Sequence, residues 1–220
     1  MKLLLTSSGI TNKSIAKALF DLVGKKPKDT SLVFIPTASN IDVGDKSWLI
    51  KDLVNLKKLN LKSIDIADIS AIDKKIWLHK FKQADILFFG GGDNSYLMDW
   101  VNKSGLNKLL PGLLKNKVFV GVSAGSMITS KSCNLSTAQL LYGENLDKKK
   151  ELQGLNFVDF YFLPHLNSSS FPHVRANFIK NFAQKRVEII YALDDNSALK
   201  IIDKKIDVIS EGKWLIFNNF

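Results

Sequence analysis

The sequence is poor in residues that cross-link proteins. Among its 220 residues it has a single cysteine, Cys133. One cysteine excludes an internal disulfide, a cysteine-based zinc cluster and a C-x-x-C redox pair. The fold must therefore rest on its core, which 45% hydrophobic residues can supply. A reducing compartment, most simply the cytoplasm, is expected.

Long apolar runs are also missing. The first ten residues, MKLLLTSSGI, contain only three consecutive leucines before polar residues follow. This run is too short for the apolar region of a signal peptide, and no later segment reaches the length of a membrane span. We therefore expect a soluble protein without a membrane partner.

Positive charge is abundant but scattered. The formal net charge is +10, and the lysines fall in separate stretches such as GKKPKD, NLKKLNLK and LDKKKE without interleaved aromatic residues. This pattern is typical of a solvated surface rather than of a nucleic-acid-binding groove. We predict no specific nucleic-acid partner.

Short apolar runs alternate with helical patterns over the first 130 residues or so, and this alternation predicts an α/β fold of three layers, with a mostly parallel sheet between helices. Helical spacing links Ile15 to Leu22 and Leu49 to Leu56. Strands covered on both faces are predicted at Lys2 to Leu5, Ser31 to Ile35, Ser63 to Ile66, Asp85 to Phe89, Lys117 to Val122 and, later in the chain, Glu188 to Leu193.

The later part of the chain is less regular. Residues 131–172 are expected to be irregular, and a helix is predicted from Val174 to Phe182. The tail SALKIIDKKIDVISEGKWLIF predicts two or three short strands joined by tight turns, a C-terminal β-hairpin region. No repeat or linker interrupts the chain, so residues 1–220 are expected to form one domain.

The stretch KVFVGVSAGSMI carries the most specific chemical signal. Gly121 to Gly125 match G-x-S-x-G, directly after an apolar run and before helix-compatible residues. A strand-to-helix elbow holds its serine in a strained conformation and needs small neighbours. The amide of Ala124 would then face the site from a helix N-terminus and could donate to an oxyanion. Ser123 is the predicted nucleophile, with a tight-turn serine as the alternative.

A second glycine-rich turn follows the apolar run ILFF. Gly91 and Gly92 precede a helix predicted to begin at Asn94 or Ser95, so several amides there could face an anion. The lysine of a P-loop and the G-x-G-x-x-G spacing of a dinucleotide site are both missing. We predict a second oxyanion donor here rather than a phosphate site, with simple turn glycines as the alternative.

A serine nucleophile needs a base, and the three histidines differ in context. His79 lies in the lysine-flanked stretch WLHKFK, which indicates a solvated surface. His165 leaves the apolar run FVDFYFLP for a loop, where catalytic residues concentrate. His173 is expected to open a helix, where it could cap that helix or bind substrate. His165 is the preferred base, and His173 is the second candidate.

Two adjacent acids, Asp194 and Asp195, end the apolar run before NSAL. Either could accept the imidazole N–H of the base, and both could be turn formers. The resulting order of serine, histidine and acid differs from the serine, acid, histidine order of α/β-hydrolases. It agrees with the class I glutamine amidotransferase-like arrangement.

With these motifs in this order, the sequence resembles peptidase family S51, the aspartyl dipeptidases (peptidase E) and their cyanophycinase relatives. The motifs are LLLTSSG, VFIPTAS, FFGGGDN, GVSAGSM, FLPHL and ALDDNSAL, and they extend over essentially the whole chain. The resemblance implies a class I glutamine amidotransferase-like fold. It also implies Ser123 as nucleophile, His165 as general base and Asp195 as the third member, at a position where the family often has glutamate. The implied oxyanion hole consists of Gly91, Gly92 and Ala124.

One departure from the family concerns the substrate. Aspartyl dipeptidases carry an aspartate beyond the nucleophile that helps to recognise substrate, whereas here Ala138 or a neighbour takes that place and no acid lies between Met127 and Tyr142. Strict specificity for N-terminal aspartate is therefore not predicted. The candidate substrate-binding residues are Asn94, His173 and Arg175, of which the arginine would suit a carboxylate.

The sequence thus predicts a serine peptidase that hydrolyses short peptides, as a dipeptidase or an aminopeptidase-like enzyme, through an acyl-enzyme and without a cofactor or metal. A non-peptidase acyl hydrolase (esterase or amidase) and a catalytically silent binding protein of the same fold are the alternatives. Residues 132–157 could be a lid, a dimer contact or a surface loop, so a homodimer is left open.

Overall fold

The computed structural model describes residues 1–133, 140–142 and 152–219. Its strands are β1 (Lys2–Thr6), β2 (Ser31–Ile35), β3 (Ser63–Ile66), β4 (Ile86–Phe89), β5 (Val118–Val122), β6 (Ser132–Cys133), β7 (Leu152–Gln153), β8 (Phe160–Leu163), β9 (Ile189–Leu193), β10 (Ser197–Ile202), β11 (Lys205–Ser210) and β12 (Trp214–Phe217). Its helices are α1 (Lys13–Val23), α2 (Ser47–Lys57), α3 (Lys74–Gln83), α4 (Asn94–Lys103), α5 (Leu106–Leu113), α6 (Ala124–Met127) and α7 (Ala176–Ala183).

A seven-stranded sheet in the order β11-β10-β1-β5-β4-β2-β3 forms the centre of the fold. The five strands from β1 to β5 run parallel to one another, because helices carry the chain back between them. The hairpin of β10 and β11 adds an antiparallel edge. The mostly parallel sheet and the C-terminal hairpin predicted from the sequence are both confirmed.

Each face of this sheet packs against helices through alternate strand residues. On one face Leu4, Phe34 and Phe88 form a buried cluster with apolar residues of α1 and α2. On the other face Leu5 and Phe89 join residues of α3, α4 and α5 in a second cluster. The three-layer architecture follows from apolar strands that are covered on both sides.

Strand β3 departs from the sequence prediction. All four of its residues are exposed, whereas Ser63 to Ile66 were predicted to be covered on both faces. The strand lies at the end of the sheet and pairs only with β2 among the described strands. The prediction of two-sided burial is wrong for this strand because, at the edge of the sheet, its two faces are open to solvent and not covered by helices.

A smaller sheet of β8, β9 and β12 stands beside the central one. Strands β8 and β9 are parallel, with Leu163 opposite Ala192, and β12 is antiparallel to β9. Its own apolar cluster includes Val174, Ile179 and Ile190. The region predicted to be irregular therefore contributes β8 to this sheet and also holds the short pair β6 and β7.

Helix α7 begins later than the sequence suggests. It starts at Ala176, with Arg175 as the flanking residue, and His173 lies in the turn before it. The prediction that His173 opens the helix is wrong, because the guanidinium of Arg175 donates to the carbonyls of Ser168, Phe171 and Val174 and so stabilises a turn there. In the described ranges, no helix has both the length and the apolar character needed to cross a membrane.

Candidate active site

Ser123 occupies a sharp turn between β5 and α6. Its backbone has φ 47° and ψ −107°, a conformation that costs a non-glycine residue on the order of 1–3 kcal/mol. The amide of Ser123 donates to the carbonyl of Thr6 at 3.0 Å, and its own carbonyl accepts from the amides of Ser126 and Met127. The strand-to-helix elbow expected from the sequence is thus present in the backbone.

The two glycines of the elbow are required by close packing. A β-carbon at Gly121 would lie 2.6 Å from the carbonyl carbon of Gly125. One at Gly125 would overlap the carbonyl oxygen of Phe89 on the neighbouring strand β4. The G-x-S-x-G pattern therefore lets α6 sit directly on the sheet, which presents Ser123 at the carboxyl edge of β5.

His165 and Asp195 reach Ser123 from the smaller sheet. The Nε2 atom of His165 is 3.0 Å from Ser123 Oγ, and its Nδ1 atom is 2.7 Å from Asp195 Oδ1. His165 and Asp195 follow the neighbouring parallel strands β8 and β9, and the carboxyl ends of parallel strands lie at the same edge of a sheet. This geometry aligns a hydroxyl, an imidazole and a carboxylate in series.

The adjacent acid, Asp194, has a different environment. Its Oδ1 accepts a hydrogen bond from Ser197 Oγ at 2.6 Å and another from the amide of Asn196 at 3.0 Å. Its Oδ2 accepts from the amide of Lys213. These bonds fix the turn between β9 and β10 and tie it to the turn between β11 and β12. Of the two acids that the sequence left open, the structure brings Asp195 to the imidazole.

The surroundings of Asp195 favour its ionised form. Burial by itself would raise the pKa of its carboxyl, but the hydrogen bonds from His165 and Ser7, together with the charges of His165 and Lys51, hold that pKa below its usual value. An ionised carboxylate can both orient the imidazole and stabilise the imidazolium that forms when the imidazole takes a proton.

Ser7 is a member of the site that we did not predict. It is fully buried, and its hydroxyl donates to Asp195 Oδ1 at 2.8 Å while accepting the amide of His165 at 2.8 Å. Ser7 follows β1 and Ser123 follows the adjacent strand β5, so the two serines lie at the same sheet edge. The sequence feature that could have identified Ser7 as a site residue is its position after an apolar strand, in the motif LLLTSSG.

Aromatic side chains form the wall behind the imidazole. The ring of Phe171 stacks on that of His165, with centroids 4.5 Å apart and planes 22° apart. Tyr142 contacts Phe171 edge-on and donates its hydroxyl to the carbonyl of Pro164 at 3.1 Å. These contacts limit the rotation of His165, whose backbone φ is 65°.

The predicted oxyanion donors lie around the elbow. Ala124 is the first residue of α6, and a β-carbon at Gly91 would be 3.6 Å from that of Ser123. Gly92 has φ 128° and packs against the backbone of Ala38, where no side chain would fit. Within the described part of the chain, no acceptor is hydrogen-bonded to the amides of Gly91, Gly92 or Ala124.

The predicted substrate-binding residues are engaged in contacts with the protein itself. Asn94 is fully buried, with its amide nitrogen 3.8 Å from Met127 Sδ. The guanidinium of Arg175 is committed to backbone carbonyls, and His173 is exposed with its ring edge-on to Phe178.

Two predictions concern residues outside the described ranges. They are the specificity position at Ala138 and, for the most part, the lid or dimer contact at residues 132–157. No metal-binding group of three or more His, Cys, Asp or Glu side chains occurs in the ranges described.

A family model now connects this geometry to known proteins. The model of peptidase family S51 matches residues 3–209. The chain belongs to peptidase family S51. Among similar proteins, the uncharacterized peptidase Lmo0363 of Listeria monocytogenes is 25% identical over 190 residues, covering 80% of this chain and 84% of its own. The uncharacterized peptidase PM1590 of Pasteurella multocida is 27% identical over 153 residues, covering 68% and 70%.

Two solved structures share the fold of this S51 chain. A protein of Listeria monocytogenes EGD-e provisionally named a peptidase E superposes with a TM-score of 0.78 at 22% identity, covering 96% of this chain and 98% of that one. A peptidase from an acI-B1 actinobacterium gives a TM-score of 0.67 at 20% identity, covering 98% and 96%. The predicted class I glutamine amidotransferase-like, peptidase E-like fold is confirmed, and family membership supports a peptidase.

Proposed function

We propose that this S51 chain is a serine peptidase that hydrolyses short peptides through Ser123, His165 and Asp195. The observation that carries the proposal is the pair of contacts in series, 3.0 Å from Ser123 Oγ to His165 Nε2 and 2.7 Å from His165 Nδ1 to Asp195 Oδ1. The strained elbow at Ser123 and membership of a peptidase family support it independently. A cytoplasmic location remains part of the proposal.

In the first half of the proposed reaction, His165 Nε2 takes the proton of Ser123 Oγ as that oxygen attacks the peptide carbonyl. The carbonyl oxygen becomes negative and accepts hydrogen bonds from amides of the Gly91 turn and of Ala124. The imidazolium, held by Asp195 at Nδ1, then gives its proton to the leaving nitrogen. The C–N bond breaks, the amine product departs, and an ester to Ser123 remains.

In the second half, water replaces the amine. His165 takes a proton from the water as the water oxygen attacks the ester carbonyl, and the same amides hold the second oxyanion. The imidazolium then protonates Ser123 Oγ as the ester bond breaks, which releases the acid product and restores the starting state. Ser7 has a positioning role, because its hydroxyl joins the carboxylate of Asp195 to the backbone of His165.

The test is hydrolysis of a library of dipeptides and tripeptides by the wild type, by Ser123→Ala and by Ser63→Ala. Ser63 is exposed at the amino end of β3. The candidate site lies at the carboxyl ends of the parallel strands, so this control removes a hydroxyl far from it. We expect the wild type and Ser63→Ala to release amino acids and Ser123→Ala to lose at least about 10³-fold in rate. Equal rates for wild type and Ser123→Ala would refute the proposal.

An acyl hydrolase that acts on esters remains the second candidate, because the same hydroxyl, imidazole and oxyanion donors would serve an ester. Aryl esters of acetate and of blocked amino acids, assayed beside the peptides, separate the two. Ester turnover that depends on Ser123, without cleavage of any peptide in the library, would favour that candidate.

A further inference from the structure

Asp52 is a buried acid without a protein partner. It lies on α2 and is only 6% exposed. No hydrogen bond or ion pair to its carboxylate occurs among the described residues, and its helix neighbour Lys51 is exposed. Buried carboxylates are otherwise paired or hydrogen-bonded, so an unpaired one calls for an explanation.

The carboxylate lies against the loops that form the candidate active site. A β-carbon at Gly9 would be 2.9 Å from Asp52 Oδ1 and 3.8 Å from a methyl group of Val122. Gly9 is two residues beyond Ser7, and Val122 immediately precedes Ser123. The Asp52 side chain is thus placed beside the carboxyl ends of β1 and β5, between the segments that carry Ser7 and Ser123.

The same face of α2 continues to the oxyanion turn. Trp48, one helical turn before Asp52, has its ring 3.6 Å from where a β-carbon of Gly91 would be. Lys51, between them in sequence, contributes to the electrostatic environment of Asp195. The segment from Trp48 to Asp52 therefore borders the loops after β1, β4 and β5, and with them the proposed reaction centre.

The carboxylate is recessed but not sealed. In the described part of the chain, the only fully enclosed side-chain nitrogen or oxygen without a hydrogen-bond partner is Ser130 Oγ. The carboxylate oxygens of Asp52, which also lack such a partner, therefore keep some contact with solvent. Burial raises the pKa of this carboxyl to about 7, so its charge is disfavoured until a cation approaches it.

We propose that Asp52 binds the free α-ammonium group of the peptide substrate, which would make the enzyme one that acts from the amino terminus. This inference rests on the proposed function. An ammonium supplies the donors that the protein does not, through charge-assisted hydrogen bonds. A recessed carboxylate next to the segments that carry Ser7 and Ser123 accepts the terminal ammonium, whereas an amide-blocked terminus brings neither the positive charge nor three N–H donors.

The experiment compares Asp52→Asn with the wild type on matched substrates with free and N-acetylated amino termini, both peptides and amino-acid esters. Asn has the same shape as the neutral acid, so the site should stay folded, and thermal unfolding of each variant checks this. The control Asp21→Asn removes one acid from the neighbouring helix α1, where the carboxylate is exposed and paired with Lys17.

We expect Asp52→Asn to raise KM for free-amine substrates roughly 10- to 100-fold, as for the loss of a hydrogen bond between charged groups. Its hydrolysis of N-acetylated esters and the behaviour of Asp21→Asn should match the wild type. An unchanged KM for free amines in Asp52→Asn, or a wild type that prefers N-acetylated substrates, would overturn the role of Asp52 alone. A wild type that cleaves no substrate and does not react at Ser123 would overturn the proposed function as well.

Discussion

At the scale of single residues, neighbours in sequence have separate tasks. Asp194 and Asp195 are the same residue type in the same loop. Asp194 fixes turns through Ser197 and Lys213, whereas Asp195 contacts His165. A strand end explains the difference, because consecutive residues beyond it point in different directions. The pair therefore offers a matched test of chemistry against structure.

We predict that Asp195→Asn lowers kcat by roughly 10³- to 10⁴-fold, because an amide cannot stabilise the imidazolium and can hold the wrong tautomer. Asp194→Asn should leave kcat near the wild-type value and reduce the free energy of unfolding by about 1–3 kcal/mol, since it disturbs several hydrogen bonds that a charged carboxylate accepts in a turn. Steady-state kinetics and urea unfolding of both variants check this. Loss of kcat in Asp194→Asn with Asp195→Asn unaffected would reverse the assignment.

The sequence identified the residues that the structure groups around Ser123 where a local pattern marked them. Ser123 stands in a glycine-flanked elbow and His165 follows a strand, so strand ends were enough to suggest them. Ser7 also follows an apolar strand, in the motif LLLTSSG, whereas Phe171 and Asp52 carry no such pattern. Their proximity to the site arises from strand order and helix packing, which a single sequence does not display.

At the scale of elements, the elbow depends on backbone contact between α6 and the sheet. Gly125 touches the backbone of Phe89 with no room for a side chain, whereas a β-carbon at Gly112, in α5, would meet nothing within 4 Å. The two glycines thus have opposite roles, one needed for close approach and the other a weak point in a helix.

We predict that Gly125→Ala lowers the free energy of unfolding by at least about 3 kcal/mol, because strand or helix must move to admit the methyl group. Gly112→Ala should raise it by about 0.5–1 kcal/mol through helix propensity. Urea unfolding followed by circular dichroism measures both. A Gly125→Ala variant as stable as wild type would show that the elbow does not need this contact.

Strands and helices could be predicted where burial imposes a pattern of apolar residues on the sequence. The apolar runs at β1, β2, β4 and β5 matched strands because both faces are covered. The run at β3 is an edge strand instead, and the start of α7 is delayed by hydrogen bonds of Arg175. Both errors arise from tertiary context, which hydrophobic periodicity does not report.

At the scale of the whole molecule, two sheets combine to make the site. Ser7 and Ser123 follow strands of the central sheet, and His165 and Asp195 follow strands of the smaller sheet. The bonds from Ser7 to Asp195 and from His165 to Ser7 cross this junction. Activity therefore depends on how the sheets are joined, which the topology reveals and the motifs do not.

The free energy of unfolding should depend on pH through the buried carboxyl of Asp52. Burial raises the pKa of this carboxyl from 3.8 to about 7, so between these pH values the folded state binds a proton that the unfolded state has lost. Stability from this group is present below about pH 4 and is lost as pH rises through about 7, a difference on the order of 4 kcal/mol. Asp52→Asn removes this dependence.

The measurement is urea unfolding of wild type and Asp52→Asn at mildly acidic and mildly alkaline pH. We expect the variant to gain stability relative to the wild type as pH rises across this window. If the free energies of unfolding of the two proteins change with pH in parallel, the folded state does not raise the pKa of this carboxyl, and the effect of burial is contradicted.

The central claim, that Ser123 is activated by His165, is tested most directly by labelling the whole chain with a fluorophosphonate and locating the adduct by peptide mass mapping. We predict a single adduct at Ser123 in the wild type, formed roughly 100-fold or more faster than in His165→Ala. Absence of labelling, an adduct at a different serine, or equal labelling rates in the two proteins would contradict it.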